Sequence, residues 1–378
     1  MRTYKVAVAT RFSDAHLTNG DVVQMLKTKK YLEARHGLEV VAVRSPEELA
    51  KTDADIVHIF SMPRIDDTVA FIEVARRTGK KVALSTVYWD LTQSSFVSAC
   101  YRRGLLPYAR FLKPFRKPAF QLYNLAQSLR ATRSQAFYSH DFVEKRRNAL
   151  MAAGMLLPNS DEELELLARD FGIPVQQLRA KAVIVPNAVD LNVLQNPAAD
   201  PVPDLPGFVL CVASLDPGKN QLGLLQALYH VPDLWIVLRG SDRNIEYANE
   251  VRKVAAARGN VRMLGELDDH QVAALYRKAR VHVLASFRES TGLASLEALA
   301  SGCEIVVSDE PFCPIRYYKF DQHGHVCNPF SQRSIRQAVL ASFHEKRNKI
   351  DDDYRNAYSY ERAVDLTKEA YDRLMQRR

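Results

Sequence analysis

Residues 281–309 read VHVLASFRESTGLASLEALASGCEIVVSD, and the fold is decided here. VHVLAS and EIVVS are short apolar runs rich in β-branched residues. The segment between them is too long for a hairpin, which predicts two parallel strands joined by a crossover helix. Leu293, Leu296 and Ala300 fall on one helical stripe, and Gly302 stands where a helix end favours a residue tolerant of positive φ. Ser290, Thr291 and Gly292 lead into the helix at Leu293, where unpaired backbone N–H groups and the positive dipole end attract an anion. Glu289 lies in the preceding loop, and Glu297 lies on the second helical turn, leaning back toward the N-terminus. A phosphate-attracting helix start flanked by acceptors for sugar hydroxyls is the pattern of a nucleotide-sugar site. The plainer alternative is an ordinary βαβ unit with two solvated glutamates.

Outward from this stretch, the 378 residues are enough for two or three domains, each with its own core. No apolar run approaches a membrane span, and the N-terminal MRTYKVAVATRF reads as a strand rather than a signal peptide. Five cysteines, at 100, 211, 303, 313 and 327, contain no C-x-x-C pair, which fits a reduced, cytoplasmic compartment. Cys313, His323, His325 and Cys327 match no zinc spacing and read as loop residues, so no metal site is expected. The net charge of +8 points to an anionic partner: nucleic acid, anionic lipid or a phosphorylated substrate.

Upstream, KVAVA, a loop, the helical VVQMLKTKKYLEARHG and LEVVAV form a βαβ start. The Asn19–Gly20 step before that helix offers N–H groups to an anion, or is a plain turn. Asp53-Ala-Asp55 precedes the strand IVHIF instead of following it and reads as a solvated turn; His58 inside that strand reads as a satisfied core histidine. Between Leu91 and His140 no acidic residue occurs, while Arg102, Arg103, Arg110, Lys113, Arg116, Lys117, Arg130 and Arg133 alternate with aromatics. This insert could dock on an anionic membrane through 101–120, bind nucleic acid with stacking aromatics, or form a solvated face; its prolines argue against one long helix. SDEELELLARDFG is a helix capped by Ser160 and closed by Gly172. NPAADPVPDLPG, 196–207, reads as a linker. Beyond it, a strand, the turn carrying Lys219 and a helix form another phosphate-accepting unit, and LWIVLRGS is a strand ending at Gly240.

F-R-E-S-T-G-L-A-S-L-E-A-L-A-S-G, with seven residues between Glu289 and Glu297, resembles the E-x7-E motif of retaining GT-B glycosyltransferases of family 4, the glycosyl transferases group 1. P-N-S…FGIP followed by V-P-N-x-V-D is similar to the same family, with Ala188 at its usual glycine. The resemblance implies an α/β fold of two Rossmann-like, doubly wound domains facing across a cleft, with a C-terminal helix crossing back to the first. The boundaries expected are 1–195, with the insert 91–140; a linker, 196–207; 208–355; and 356–378. It implies that Glu297 accepts from ribose hydroxyls and that Glu289 holds hydroxyls of the transferred sugar. Lys219 and the N–H groups from Ser290 through Thr291 and Gly292 to Leu293 would meet the donor diphosphate, and Gly240, Met263 and Leu264 would line the nucleoside. Ser214 stands where the family has an arginine, and Tyr88-Trp89-Asp90 where it often has histidine and aspartate. Asn19, Gly20, Tyr88 and Asp90 are the expected acceptor side, the aromatic pair a stacking wall. The activity implied is metal-independent, retaining transfer from a nucleotide-sugar donor to a glycan or lipid-linked acceptor, at the inner membrane face, without a cofactor. An epimerase on the same fold and an inactive basic binding protein remain open.

Overall fold

The computed structural model describes residues 4–10, 20–60, 62, 65–105, 108–112, 114 and 140–377. The chain divides into two compact units, Met1–Trp89 with Pro118–Ala188 and Asn356–Arg378, and Asp90–Lys117 with Val189–Arg355.

The first unit carries five strands, β1 (Lys5–Ala9), β2 (Glu39–Val43), β3 (Ile56–Phe60), β4 (Lys81–Ser85) and β5 (Met155–Leu156), in the order β2-β1-β3-β4-β5. All pairings are parallel. Parallel sheets are covered on both faces, which is why β3, IVHIF, is buried at every position. Its one polar member is satisfied: His58 Nδ1 lies 2.7 Å from the Tyr371 hydroxyl and Nε2 lies 2.8 Å from Ser85 Oγ. Burial holds the ring neutral, with its pKa lowered to about 3. Tyr371 belongs to the helix Tyr360–Gln376, whose Val364, Ala370, Tyr371 and Leu374 complete this core. Arg35 clamps that helix with two bonds to Asp365, at 2.7 and 2.9 Å. Asp53 pairs with Lys5 at 2.7 Å, ahead of β3, as a surface turn.

The second unit carries β6 (Val209–Val212), β7 (Ile236–Arg239), β8 (Val261–Leu264), β9 (Val281–Leu284), β10 (Glu304–Ser308) and β11 (His325–Cys327), in the order β11-β10-β9-β6-β7-β8. These too are all parallel. β9 and β10 pair as the sequence predicts, Glu304 opposite Val281 through Val307 opposite Leu284. The crossover helix is Leu293–Ala300, and Gly302 beyond it has φ +86°. Its buried side is Ser295, Leu296, Ala298 and Leu299, so Leu293 and Ala300 of the expected stripe are only half-buried.

The observed division departs from the expected boundaries in two places. The helix Leu91–Arg102, expected with the first domain, belongs to the second unit, because Phe96, Val97 and Cys100 bury themselves with Phe287. Tyr101 fixes its far end, donating to Glu250 Oε2 at 2.7 Å with its ring edge-on to Tyr247. The stretch 196–207 is not a free linker either. Val202 and Leu205 are buried, and Lys278 Nζ reaches Asp200 at 2.6 Å and the Val202 carbonyl at 2.7 Å. The chain passes between units at Ala188 and Val189 instead. No described helix is long and apolar enough to cross a membrane.

Candidate functional site

The residues converge at the carboxyl ends of β6 and β9, adjacent in the second sheet, where open parallel sheets bind ligands. After β6 the chain makes a tight turn. Asp216 caps the short 3-10 helix Pro217–Lys219, accepting from Gly218 N at 2.8 Å, and Asn220 takes φ +61°. Asn220 then staples three segments: its Nδ2 donates to the Ala285 carbonyl at 3.0 Å and to that of Pro329 at 2.9 Å. The loop after β9 is held in the same way, with Phe287 N donating to Gly218 O at 2.9 Å and Glu289 N to Phe312 O at 2.7 Å.

These constraints bring Lys219 Nζ to 2.6 Å from Glu289 Oε1. The Glu289 side chain is 10% exposed and that of Lys219 29%, so the pair is partly shielded and stronger than a surface ion pair. Spacing alone could not put together two residues seventy positions apart. Beside them the helix Leu293–Ala300 starts from Gly292, whose φ of +76° suits a residue without a Cβ. Its leading N–H groups have no acceptor inside the helix. Thr291 is buried and Ser290 half-buried at this start. Glu289, Ser290, Thr291, Gly292, Leu293 and Lys219 therefore form one cluster of anion-seeking groups and a single carboxylate.

One turn further along, Glu297 accepts from the Tyr276 hydroxyl at 3.1 Å. Burial, then the Glu297 charge, pushes Tyr276 far above the usual tyrosine range, so it stays a donor. Tyr276 packs edge-on to His282. His282 Nε2 accepts from Val212 N at 3.3 Å, leaving its Nδ1 hydrogen for Ser295 Oγ at 3.3 Å, and burial lowers its pKa to about 3. His282 is thus a neutral support for the helix that carries Glu297.

Ser214, at the family's arginine position, offers its carbonyl to Gln221 Nε2 at 2.9 Å. Gly240 is required by close packing: a Cβ there would fall 2.0 Å from Ala213 O and 2.9 Å from Ser214 N. Met263 and Leu264 lie half-buried in β8, at the sheet edge, where the Leu264 carbonyl accepts from Gly240 N at 3.3 Å.

The expected acceptor residues behave differently. Tyr88 is 1% exposed, with its ring against Phe171 and its hydroxyl donating to Asp170 at 2.9 Å. Trp89 is buried as well, so the pair does not form the expected stacking wall. Asp90 is buried, and Asn19 lies outside the described residues, while Gly20 begins the helix Gly20–His36. The Tyr88 backbone is held by a buried carboxylate, Glu163, which accepts from Tyr88 N at 2.7 Å, Asn159 N at 2.8 Å and Thr86 Oγ1. Sequence reasoning missed Glu163, Asn220, Tyr276 and Arg239. Arg239 had a visible signal, standing last in an apolar strand immediately before Gly240.

The sequence profile described as glycosyl transferases group 1 matches residues 195–362. That range holds both clusters. The chain is 27% identical over 224 residues to N-acetylgalactosamine-N,N'-diacetylbacillosaminyl-diphospho-undecaprenol 4-alpha-N-acetylgalactosaminyltransferase of Campylobacter jejuni, a match covering 59% of each chain. It thus spans less than two thirds of that relative's length. Among solved structures it resembles sucrose-phosphate synthase of Thermosynechococcus elongatus, with TM-score 0.74, 14% identity and coverage of 98% of this chain and 99% of the other. It also resembles Anabaena HepE in complex with UDP and glucose, with TM-score 0.69, 12% identity and coverage of 99% and 100%. The α/β architecture of two parallel-sheet units is that of the GT-B glycosyltransferases.

Proposed function

We propose that this chain is a retaining glycosyltransferase that moves a sugar from a nucleotide-sugar donor to a lipid-linked or glycan acceptor in surface-polysaccharide synthesis. The observation that carries the reading is the 2.6 Å pair of Lys219 and Glu289 beside the start of the Leu293–Ala300 helix. Match of residues 195–362 to the glycosyl transferases group 1 profile supports it.

In this reading the diphosphate takes the helix start and Lys219, while Glu297, steadied by Tyr276, accepts from the ribose hydroxyls. Glu289 then holds hydroxyls of the transferred sugar. The bond between the anomeric carbon and the phosphate oxygen breaks with its electron pair going to the nucleoside diphosphate. Lys219 and the helix N–H groups stabilise that charge. The acceptor oxygen bonds the anomeric carbon from the same face, and its proton passes to the departing phosphate oxygen, so configuration is retained. Double displacement would need a carboxylate nucleophile on the far face; Glu289 is committed to Lys219 and to hydroxyl binding. The role of Lewis acid falls to Lys219 and the helix start, so transfer proceeds with chelator present.

A lipid-linked acceptor is supported by the Campylobacter relative, whose name includes diphospho-undecaprenol. The exposed Tyr108 and Phe111, beside exposed Arg102 and Arg103, suit an anionic bilayer surface. The test is consumption of nucleotide sugars by the purified chain in EDTA, with and without lipid-diphosphate acceptors. The expected outcome is acceptor-dependent release of nucleoside diphosphate and an α-linked product from an α-linked donor. Donor consumption without any acceptor, yielding an isomeric nucleotide sugar, would replace this reading with an epimerase.

A further inference from the structure

Arg239, the last residue of β7, is half-buried and underused. A guanidinium carries five N–H donors in a rigid fork. Nη2 donates to the Leu267 carbonyl, which fixes the group against the loop after β8. Nε is buried without a hydrogen-bond partner. A buried donor left unanswered on a charged group is costly and calls for an explanation, and the half-buried guanidinium keeps an open side from which a ligand can be met.

Its place in the sheet says which part of a ligand it meets. Along the binding edge the strands run β9, β6, β7, β8. The Leu293–Ala300 helix start follows β9 and Lys219 follows β6, so the diphosphate groups occupy that end. β7 lies two strands from β9, roughly 10 Å at the usual strand spacing. A nucleotide whose diphosphate sits at β9 and β6 therefore extends its nucleoside over β7 toward β8. On the way it passes Glu297 and Tyr276, and the Tyr276 hydroxyl lies within the electrostatic influence of Arg239.

We infer that Arg239 reads the nucleobase of the donor, donating to a carbonyl edge, so that the chain selects guanine or uracil over adenine. Guanine presents two adjacent acceptors that match the guanidinium fork, O6 and N7; the carbonyl oxygens of uracil, O4 and O2, flank an N–H donor, so each is met singly. Adenine carries an amino group where these bases carry oxygen, and opposes a donor there. This inference rests on the nucleotide-sugar reading and adds the base to it.

The test is calorimetric binding of GDP, UDP, ADP and pyrophosphate to the full chain and to the variants Arg239→Gln and Arg239→Lys, each checked by thermal melt. The wild type is expected to bind GDP or UDP at least about tenfold more tightly than ADP. In Arg239→Gln that ratio should fall to roughly threefold or less, with pyrophosphate affinity unchanged. Arg239→Lys keeps charge and can still reach Leu267, so it carries the test if the glutamine variant folds poorly. Its loss should be greater for GDP than for UDP if guanine is the base, because only guanine engages the fork. Equal or tighter ADP binding by the wild type overturns the inference. So does a variant that weakens all ligands, pyrophosphate included, by one factor, which would place Arg239 on the phosphates or in the fold. A wild type that binds none of the nucleotides removes the donor reading itself.

Discussion

Replacing Lys219 by methionine separates its role in the fold from its role in transfer. The substitution keeps the aliphatic stem and removes the ammonium, leaving Glu289, whose side chain is 10% exposed, without its 2.6 Å partner. A hydrogen bond to a charged group is worth about 1.5–3 kcal/mol. Because the Lys219 side chain is 29% exposed, water recovers part of this, and a loss of about 1–2 kcal/mol is expected. Glu289→Gln alone should cost a similar amount, and the double variant little more than either single one, giving a coupling of about 1 kcal/mol in urea unfolding. The effect on transfer should be far larger. One preorganised charge at the departing oxygen is worth about a hundredfold or more in kcat, well beyond what a stability loss of that size explains at temperatures where the variant stays folded. Nucleotide release measured under saturating donor reads this directly. A Lys219→Met variant that transfers within about threefold of wild type, whatever its stability, refutes the assignment of Lys219 to the leaving group.

Glu163→Ala leaves two buried backbone N–H groups and the Thr86 hydroxyl without their acceptor, beside Val87 at φ +44°. A loss of about 3–5 kcal/mol is expected in denaturant unfolding, and a loss under 1 kcal/mol would mean that water replaces the carboxylate. His58 and His282 both titrate near pH 3 when folded, against about 6.5 unfolded. Folded-state pKa values lowered in this way give stability that is full above pH 6.5 and lost as pH falls toward 3. Each ring should cost about 2 kcal/mol by pH 5, and a melting temperature flat from pH 7.5 to 5 would contradict the neutral, buried rings.

What the sequence made legible follows its local physics. β9, the helix Leu293–Ala300, Gly302 and β10 are each encoded by neighbours, through branched apolar runs, helical spacing and a residue that tolerates positive φ. Ser160 and Gly172 mark their helix for the same reason, and both cap it as expected. Partners distant in sequence were not legible. The helix Leu91–Arg102 shows an apolar face, but nothing local says that Phe287 covers it rather than the first sheet. Tyr88 read as an accessible aromatic because its burial depends on Phe171 and Asp170, eighty residues on. The proline-rich stretch read as a linker because composition reports backbone preference, whereas Val202 and Leu205 decide where it binds.

The Tyr360–Gln376 helix sets an order of assembly. Tyr371 lies against His58, and Val364, Ala370 and Leu374 fill the core under strands formed by the first 160 residues. During synthesis those strands emerge early, yet the piece that closes them follows the whole of the second unit. At roughly 5–20 residues per second, the interval between Ala188 and Leu374 lasts about 10–40 seconds. The second unit, continuous from Val189 to Arg355 apart from its early helical segment, can finish first. The nascent chain therefore ripens from its later half backward, with an open apolar seam along β1, β3 and β4 until the final helix arrives. Until residues 360–374 are made, that seam is apolar surface exposed to solvent and open to aggregation, the consequence of a closure supplied late in the sequence.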